Sequence, residues 1–196
     1  MSRILFLYST VDGHTLKICK RLQQVVERAG HEVALAELRG EPGVELESFD
    51  RIVVGASIRY GKHRPQVAEF MRANRTLLER KACAFFSVNI VARKQNKNTP
   101  ETNPYVVKLL RQIAWRPRHV AVFAGMLDYP RYGFWDRQII RFIMLLTSGP
   151  TDPNSVVEFT DWQQVEAFVP ISKPWCRPTR RGITSTPAAR RATWMA

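Results

Sequence analysis

Seven residues near the amino terminus, Ser9-Thr10-Val11-Asp12-Gly13-His14-Thr15, bring three hydroxyls, a carboxylate, an imidazole and one glycine into a single short stretch. They follow the apolar run Ile4 to Tyr8 and lead into helical periodicity that starts at about His14. A buried strand entering a hydroxyl-rich turn that opens a helix is a socket for a phosphate. The hydroxyls of Ser9, Thr10 and Thr15 and the free amides of the first helical turn can surround an anion, which the helix dipole also favours. No Lys or Arg lies inside the loop, so amides and hydroxyls carry the neutralisation. The same residues also suit an ordinary strand-turn-helix corner capped by Thr10 or Asp12. The rest of the chain decides between the two.

The elements around this loop alternate. Ile18, Leu22, Val25, Val26 and Ala29 recur at helical spacing, with Gly30 as a stop. His31 to Leu38 alternates as a second strand, and residues 41–49 form an acidic loop with Pro42 and Gly43. Arg51 to Ala56 is a compact apolar strand of the kind covered on both faces. Residues 57–62 read as a loop, after which Pro65 opens one helix carrying Val67, Phe70, Met71, Leu77 and Leu78. Ala82 to Val88 is a fourth strand, 89–103 a long polar loop, Tyr105 to about Trp115 a helix ended by Pro117, and His119 to Ala124 a fifth strand. Val156 to Phe159 and Asp161 to Val169 supply a last short strand and helix.

This alternation predicts an α/β fold with a parallel sheet and helices on both faces. In such folds ligands sit beyond the carboxyl ends of the strands, where the strand order reverses. Loops 9–15, 57–62 and 89–103 and the stretch after Ala124 all leave carboxyl ends, which favours the phosphate reading.

A length of 196 residues suits one domain with an insertion and a tail, and 45% hydrophobic content supports a sizeable core. We expect the domain over 1–172, with an insertion at about 125–155 holding an apolar helix at 134–147, and a basic, disordered tail at 173–196. The net charge of +13 points to an acidic partner: nucleic acid, anionic lipid or a polycarboxylate. Six of the positive charges, from Lys173 to Arg191, follow the last acid, Glu166. Cys19, Cys83 and Cys176 are odd in number and form no CxxC, so neither a disulfide framework nor a zinc site follows, and Cys19 and Cys83 sit at core positions. The chain starts directly on a strand without a signal-peptide plan, and no apolar run reaches the roughly 18 residues of a membrane span. A cytosolic or peripheral protein is expected.

The insertion helix concentrates apolar residues, from Phe134 and Trp135 to Leu145 and Leu146, with Arg137, Gln138 and Arg141 on one face. At about 20 Å it is too short to span a bilayer. Two readings fit: a buried helix packed on the sheet, or a helix lying in a membrane interface with its arginines at headgroup level.

The stretch STVDGHT after a first strand resembles the FMN phosphate loop of flavodoxin-like proteins. Together with VVGASIRYGKH (Val53 to His63), FFSVNIVARKQNKNTPETNPY (Phe85 to Tyr105) and AGMLDYPRYGFWDR (Ala124 to Arg137), it resembles the menaquinone-dependent protoporphyrinogen oxidases, flavodoxin-like enzymes of haem biosynthesis. The similarity covers roughly residues 3–170 and leaves the tail beyond Ser172 outside.

The resemblance implies a flavodoxin-like, doubly wound, five-stranded parallel sheet of order 2-1-3-4-5, with an insertion splitting the fifth strand. It implies FMN as cofactor, oxidation of protoporphyrinogen IX to protoporphyrin IX, and menaquinone or ubiquinone as acceptor. It also implies a peripheral position on the cytoplasmic side of the inner membrane, reached through the 125–155 insertion. By position, Ser9, Thr10, Asp12, Gly13, His14 and Thr15 would hold the FMN phosphate. Ser57, Ile58, Arg59, Tyr60 and Gly61 would border one side of the flavin ring, and Ser87, Val88, Asn89, Val91 and Arg93 the other.

A flat, apolar macrocycle with two propionates needs stacking surface and cations. Tyr60, Tyr129 and Tyr132 offer the first, and Arg59, Arg93, Lys94, Lys97 and Arg131 the second, although each basic residue also reads as a solvated loop charge. His14 and His63 are the nearest titratable groups, and neither stands out as a base, so no catalytic residue is assigned. A flavodoxin-type electron carrier would usually present an acidic surface, which this chain lacks. A soluble NAD(P)H:quinone reductase requires neither the helix from Phe134 nor the basic loop 93–97. A nucleic-acid reading rests on charge alone, without a binding module, and no such partner is expected.

Overall fold

Alternate side chains of the first strand, β1 (Arg3–Ser9), enter two different cores, Ile4 and Phe6 on one face and Leu5 and Leu7 on the other. That division organises the computed structural model of the protein, which describes residues 1–40, 43–113, 115–146 and 149–169. The expected tail at 173–196, with Cys176, lies outside the described residues.

β1 is followed by β2 (Glu32–Glu37), β3 (Arg51–Arg59), β4 (Lys62–His63), β5 (Ala82–Val88) and β6 (His119–Phe123). The order is β2-β1-β3-β5-β6, parallel throughout, with β4 antiparallel against the end of β3. Setting β4 aside, this is the doubly wound 2-1-3-4-5 order expected. The helices are α1 (His14–Arg28), α2 (Pro65–Ala73), α3 (Arg75–Arg80), α4 (Pro104–Ile113), α5 (Phe134–Leu146) and α6 (Trp162–Ala167). α1 and α6 close one face over Ile4, Phe6, Val53 and Phe86, while α2, α3 and α4 close the other over Leu5, Leu7, Val54 and Phe85. Both Cys19 and Cys83 are buried there. At Gly55 the sheet takes no side chain, because a Cβ would stand 2.2 Å from Cζ of Phe86.

Three local expectations change. β3 does not stop at Ala56 but runs on to Arg59 and turns back at once, so part of the expected 57–62 loop is a hairpin. Tyr60 (φ 50°) and Gly61 (φ 74°) both take positive φ, the requirement of a two-residue turn that matches strand twist. The single helix expected after Pro65 is two, broken at Asn74, whose Nδ2 donates to Phe70 O at 3.0 Å. α4 ends at Ile113, and Trp115 drops into the core instead of extending the helix.

The insertion leaves after β6 through β7 (Met126–Asp128) and returns through β8 (Val156–Glu158), which pairs antiparallel with β7 in a sheet of its own. Phe159 N closes it by donating to Gly125 O at 3.1 Å. Within it, α5 is not a core helix: of its side chains only Met144 is buried. Trp135 is 76% exposed, and Phe134, Phe142, Leu145 and Leu146 are exposed as well. Arg137 and Arg141 do not extend outward as interfacial cations but donate to Tyr132 O and Thr151 O, pinning the insertion together. Among the described residues no helix is long and apolar enough to cross a membrane.

Candidate functional site

The strand order reverses between β1 and β3, and the loops leaving these strands meet there: Ser57 Oγ donates to Ser9 O at 3.4 Å. Gly13 (φ 82°) starts α1 in place of a side-chain cap, and Thr10 Oγ1 accepts from Gly13 N at 3.0 Å. The first helical bond runs from Lys17 N to Gly13 O, so the amides of His14, Thr15 and Leu16 lie outside the ladder. Beside them Ser9 Oγ, His14 Nδ1 and Thr15 Oγ1 are buried without a partner among the described residues. A buried polar atom left unpaired costs about 1–3 kcal/mol, and three in one loop mark a cradle shaped for a polar ligand.

The hairpin forms the next wall. Arg59 Nη1 lies 3.2 Å from both carboxylate oxygens of Asp12, and its Nη2 pairs with Oδ2 of Asp136 on α5. Tyr60 donates its hydroxyl to Asp136 Oδ1 at 2.5 Å, and the Arg59 guanidinium sits over the rings of Tyr60 and Tyr132, at 5.1 and 5.6 Å. The Tyr60 hydroxyl, aided by Arg59, holds the Asp136 carboxyl below the usual carboxylate range. Arg131 Nη1 donates to Asp12 O at 3.0 Å. Arg59 and Arg131, both expected as substrate cations, are therefore engaged in tying the insertion to the phosphate loop.

Opposite stands the loop after β5. Asn89 is buried, its Oδ1 accepting from Ala92 N and Asn103 Nδ2, each at 3.1 Å, and its Nδ2 donating to Ser87 Oγ at 3.3 Å. Ser87 Oγ also lies 3.0 Å from His63 Nε2, so Ser87 supports the wall from behind and does not reach the cleft. Val88, Asn89, Val91 and Arg93 line the cleft, as do Lys94 and Lys97. Neither lysine has a carboxylate partner among the described residues.

The last wall is the insertion itself. Met126, Asp128 and Tyr132 line the cleft with Ile139, Ile140, Ile143 and Met144 of α5. The helix is thus apolar on two sides, one closing the cleft and one facing outward. Tyr129 corrects the sequence reading: it is fully buried, donates its hydroxyl to Pro150 O at 2.7 Å, packs edge-on to Tyr132 and offers no stacking surface. Tyr132 reaches the cleft but is mostly covered, and burial raises the pKa of its phenol. Tyr60, 66% exposed, remains open for stacking.

Neither histidine is set up as a base. Burial lowers the pKa of His14, Lys17 adding to this and Glu158 opposing it, and burial pushes His63 down to about 4. Among the described residues no cluster of acids, histidines or cysteines could hold a metal.

The flavodoxin domain family matches this chain over residues 5–154. The protoporphyrinogen IX dehydrogenase (quinone) of Escherichia coli is 42% identical over 166 residues, 85% of this chain and 92% of the relative. The chain belongs to the protoporphyrinogen IX dehydrogenase (quinone) family of flavodoxin domains. A Leishmania major protein of the same name is 40% identical over 167 residues, 85% of this chain and 72% of the relative. Among solved structures, oxidised flavodoxin 2 from Bacillus cereus is similar at 21% identity and a TM-score of 0.47, over 63% of this chain and 84% of that one.

Several lining residues of this family member went unread in the sequence. Tyr105 and Met126 carry no local signal of a site. The inner face of α5 does: Ile139, Ile140, Ile143 and Met144 recur at helical spacing, a pattern equally suited to a core stripe.

Proposed function

We propose that this chain binds FMN and oxidises protoporphyrinogen IX to protoporphyrin IX, passing the electrons to a quinone. One observation carries the reading: a single cleft runs from a phosphate cradle with three unpaired buried polar atoms to the apolar inner face of α5, in a chain 42% identical to a relative of that name. When bound, FMN supplies the two-electron hydride acceptor that the protein's own side chains lack. Each porphyrinogen gives up six electrons and six protons, and three quinones take them up as quinols.

The chain's residues bind and orient. Ser9, Thr15 and the amides of His14 to Leu16 supply donors to the cofactor phosphate. The hairpin at Tyr60-Gly61 and the loop 88–91 flank the space for the ring. Tyr60 offers an aromatic face to the macrocycle, and Lys94 and Lys97 make the cleft wall positive. The inner face of α5 keeps this space apolar and excludes water from the reacting carbon. Its outer face lies on the surface of the bilayer, on the cytoplasmic side of the inner membrane, which lets a lipid-soluble quinone reach the cleft without crossing water. A soluble electron shuttle would have no use for that exposed helix.

The test is an anaerobic assay of purified protein given protoporphyrinogen IX with and without menaquinone or ubiquinone analogues. We expect a yellow protein that releases FMN on denaturation and forms porphyrin only with quinone. Protein that takes up no flavin, or that oxidises NADPH and makes no porphyrin, would overturn the reading.

A further inference from the structure

Next to the cleft lies a second cavity, of about 250 Å³, between the β3–β4 hairpin and helices α2 and α4. Lys62, Arg64, Arg72 and Lys108 line it against one carboxylate, Glu69. None of these four cations has a carboxylate partner among the described residues, whereas Arg3, Arg21, Arg59, Arg75 and Arg80 all do. Like charges gathered unpaired around a concavity raise its potential, and the natural occupant is an anion of more than one charge. Pro65, the first residue of α2, also lines the recess, and that helix start has no side-chain cap.

The recess adjoins the site described above. Gly61 and Tyr105 line both cavities, and Tyr105 Cε1 is the nearest atom to the side-chain position at Gly61, 3.9 Å away. A macrocycle resting against Tyr60-Gly61 in the cleft therefore has one edge beside the residues that border the recess.

We propose that this recess is the carboxylate subsite of the enzyme. It takes the two propionates carried on one edge of the tetrapyrrole, while the apolar remainder of the macrocycle stays in the cleft. This rests on the function proposed above. The cleft wall carries Arg93, Lys94 and Lys97, with Arg59 held by Asp12 and Asp136, whereas the recess gathers four cations around one concavity against a single carboxylate, and a pair of carboxylates is held best where several cations converge.

The test compares protoporphyrinogen IX with its dimethyl ester in the full FMN-loaded chain. The variants are a triple Lys62→Gln/Arg64→Gln/Lys108→Gln, the single Lys108→Gln, and a double Lys94→Gln/Lys97→Gln. The recess substitutions remove charges without removing a described ion pair, and the single variant serves if the triple folds poorly. For the free acid we expect KM to rise about tenfold in the triple and two- to fivefold in the single, with kcat unchanged and the ester unaffected. Binding of protoporphyrin IX, followed by its fluorescence without turnover, should weaken in parallel while binding of the ester does not. An unchanged KM for the acid, equal shifts for acid and ester, or a shift confined to the Lys94/Lys97 double would overturn the subsite and leave the proposed reaction standing. If the wild type forms no porphyrin the reaction fails, and the binding comparison still decides the subsite.

Discussion

His14 Nε2 lies 2.7 Å from Thr160 Oγ1, and that hydroxyl donates its only proton to Ala124 O at 2.8 Å. Nε2 must then be the donor of the pair, so the neutral imidazole keeps its lone pair on Nδ1, the atom buried without a partner beside the phosphate loop. A dianion bound in that loop favours a proton on Nδ1, in a side chain whose pKa is lowered in the free protein by burial and by Lys17.

Phosphate binding should therefore take up a proton. Binding raises the His14 pKa, so affinity is fullest below the pKa of the free protein and is lost as pH rises from there through the pKa of the bound state, with a slope of at most about tenfold per pH unit. Between pH 6.5 and 8.5, where the free phosphate is already mostly dianionic, FMN affinity should fall while riboflavin affinity stays flat. Quenching of flavin fluorescence reads both. His14→Gln keeps a donor for Thr160 and should remove the slope. The same slope in riboflavin, or in the variant, would sink the linkage.

Arg59 joins Asp12 of the phosphate loop to Asp136 of α5, with Tyr60 as a second contact to Asp136. This is the main polar tie between the insertion helix and the cofactor loop, and Asp136→Asn weakens both contacts at once. We expect protease cleavage within 125–155 to become several-fold faster and FMN affinity to fall about two- to fivefold, with little change in overall stability. Limited proteolysis with and without FMN measures it. Unchanged cleavage would mean that α5 is held by its apolar contacts alone.

The strands were legible because parallel strands covered on both faces are apolar runs bounded by turns, as Arg51 to Ala56 and Ala82 to Val88 show. The strand-turn-helix corner at 9–15 was legible because an apolar run, a glycine-bearing turn and helical periodicity follow one another directly. The hairpin was not: Gly61 announces a turn, but a tyrosine at φ 50° is not a turn signal. The break at Asn74 was hidden because Phe70, Met71, Leu77 and Leu78 keep an apolar rhythm across it. Tyr60 and Tyr129 are the same residue type in adjacent walls, and only packing makes one exposed and the other buried. The role of Arg59 depends on Asp136, 77 positions away, and no local pattern links the two.

The two apolar sides of α5 separate experimentally. Phe142 and Leu145 face outward, while Ile140 and Ile143 line the cleft. Phe142→Ser/Leu145→Ser removes apolar surface worth about 1 kcal/mol per side chain at an interface, so binding to anionic liposomes should drop about tenfold or more with FMN still bound. Ile140→Ser/Ile143→Ser should leave liposome binding nearly intact and instead raise KM for porphyrinogen or quinone. Vesicle flotation gives the first readout and steady-state kinetics the second. Equal liposome binding by wild type and the outer-face variant would remove the membrane role of α5.

His63 is half-buried behind the cleft, on the wall of the second recess, 3.0 Å from Ser87 Oγ and edge-on to Phe85 with ring centroids 5.8 Å apart. Burial pushes its pKa down to about 4, against about 6.5 in an unfolded chain. The folded state therefore holds the neutral ring, and the stability this contributes is fully present above pH 6.5. It is lost as pH falls from 6.5 through 4, where the native state must bury a charge that the unfolded chain leaves in water. The difference of roughly 2.5 pKa units corresponds to about 3 kcal/mol at full protonation. His63→Gln keeps a polar group for Ser87 without a titrating ring, so its stability should lack this part of the acid slope. Urea unfolding of both proteins at pH 7.5, 6 and 5 measures the difference. The wild type should lose about 1–2 kcal/mol more than the variant between pH 7.5 and 5, and parallel pH profiles would mean that His63 is hydrated in the native state.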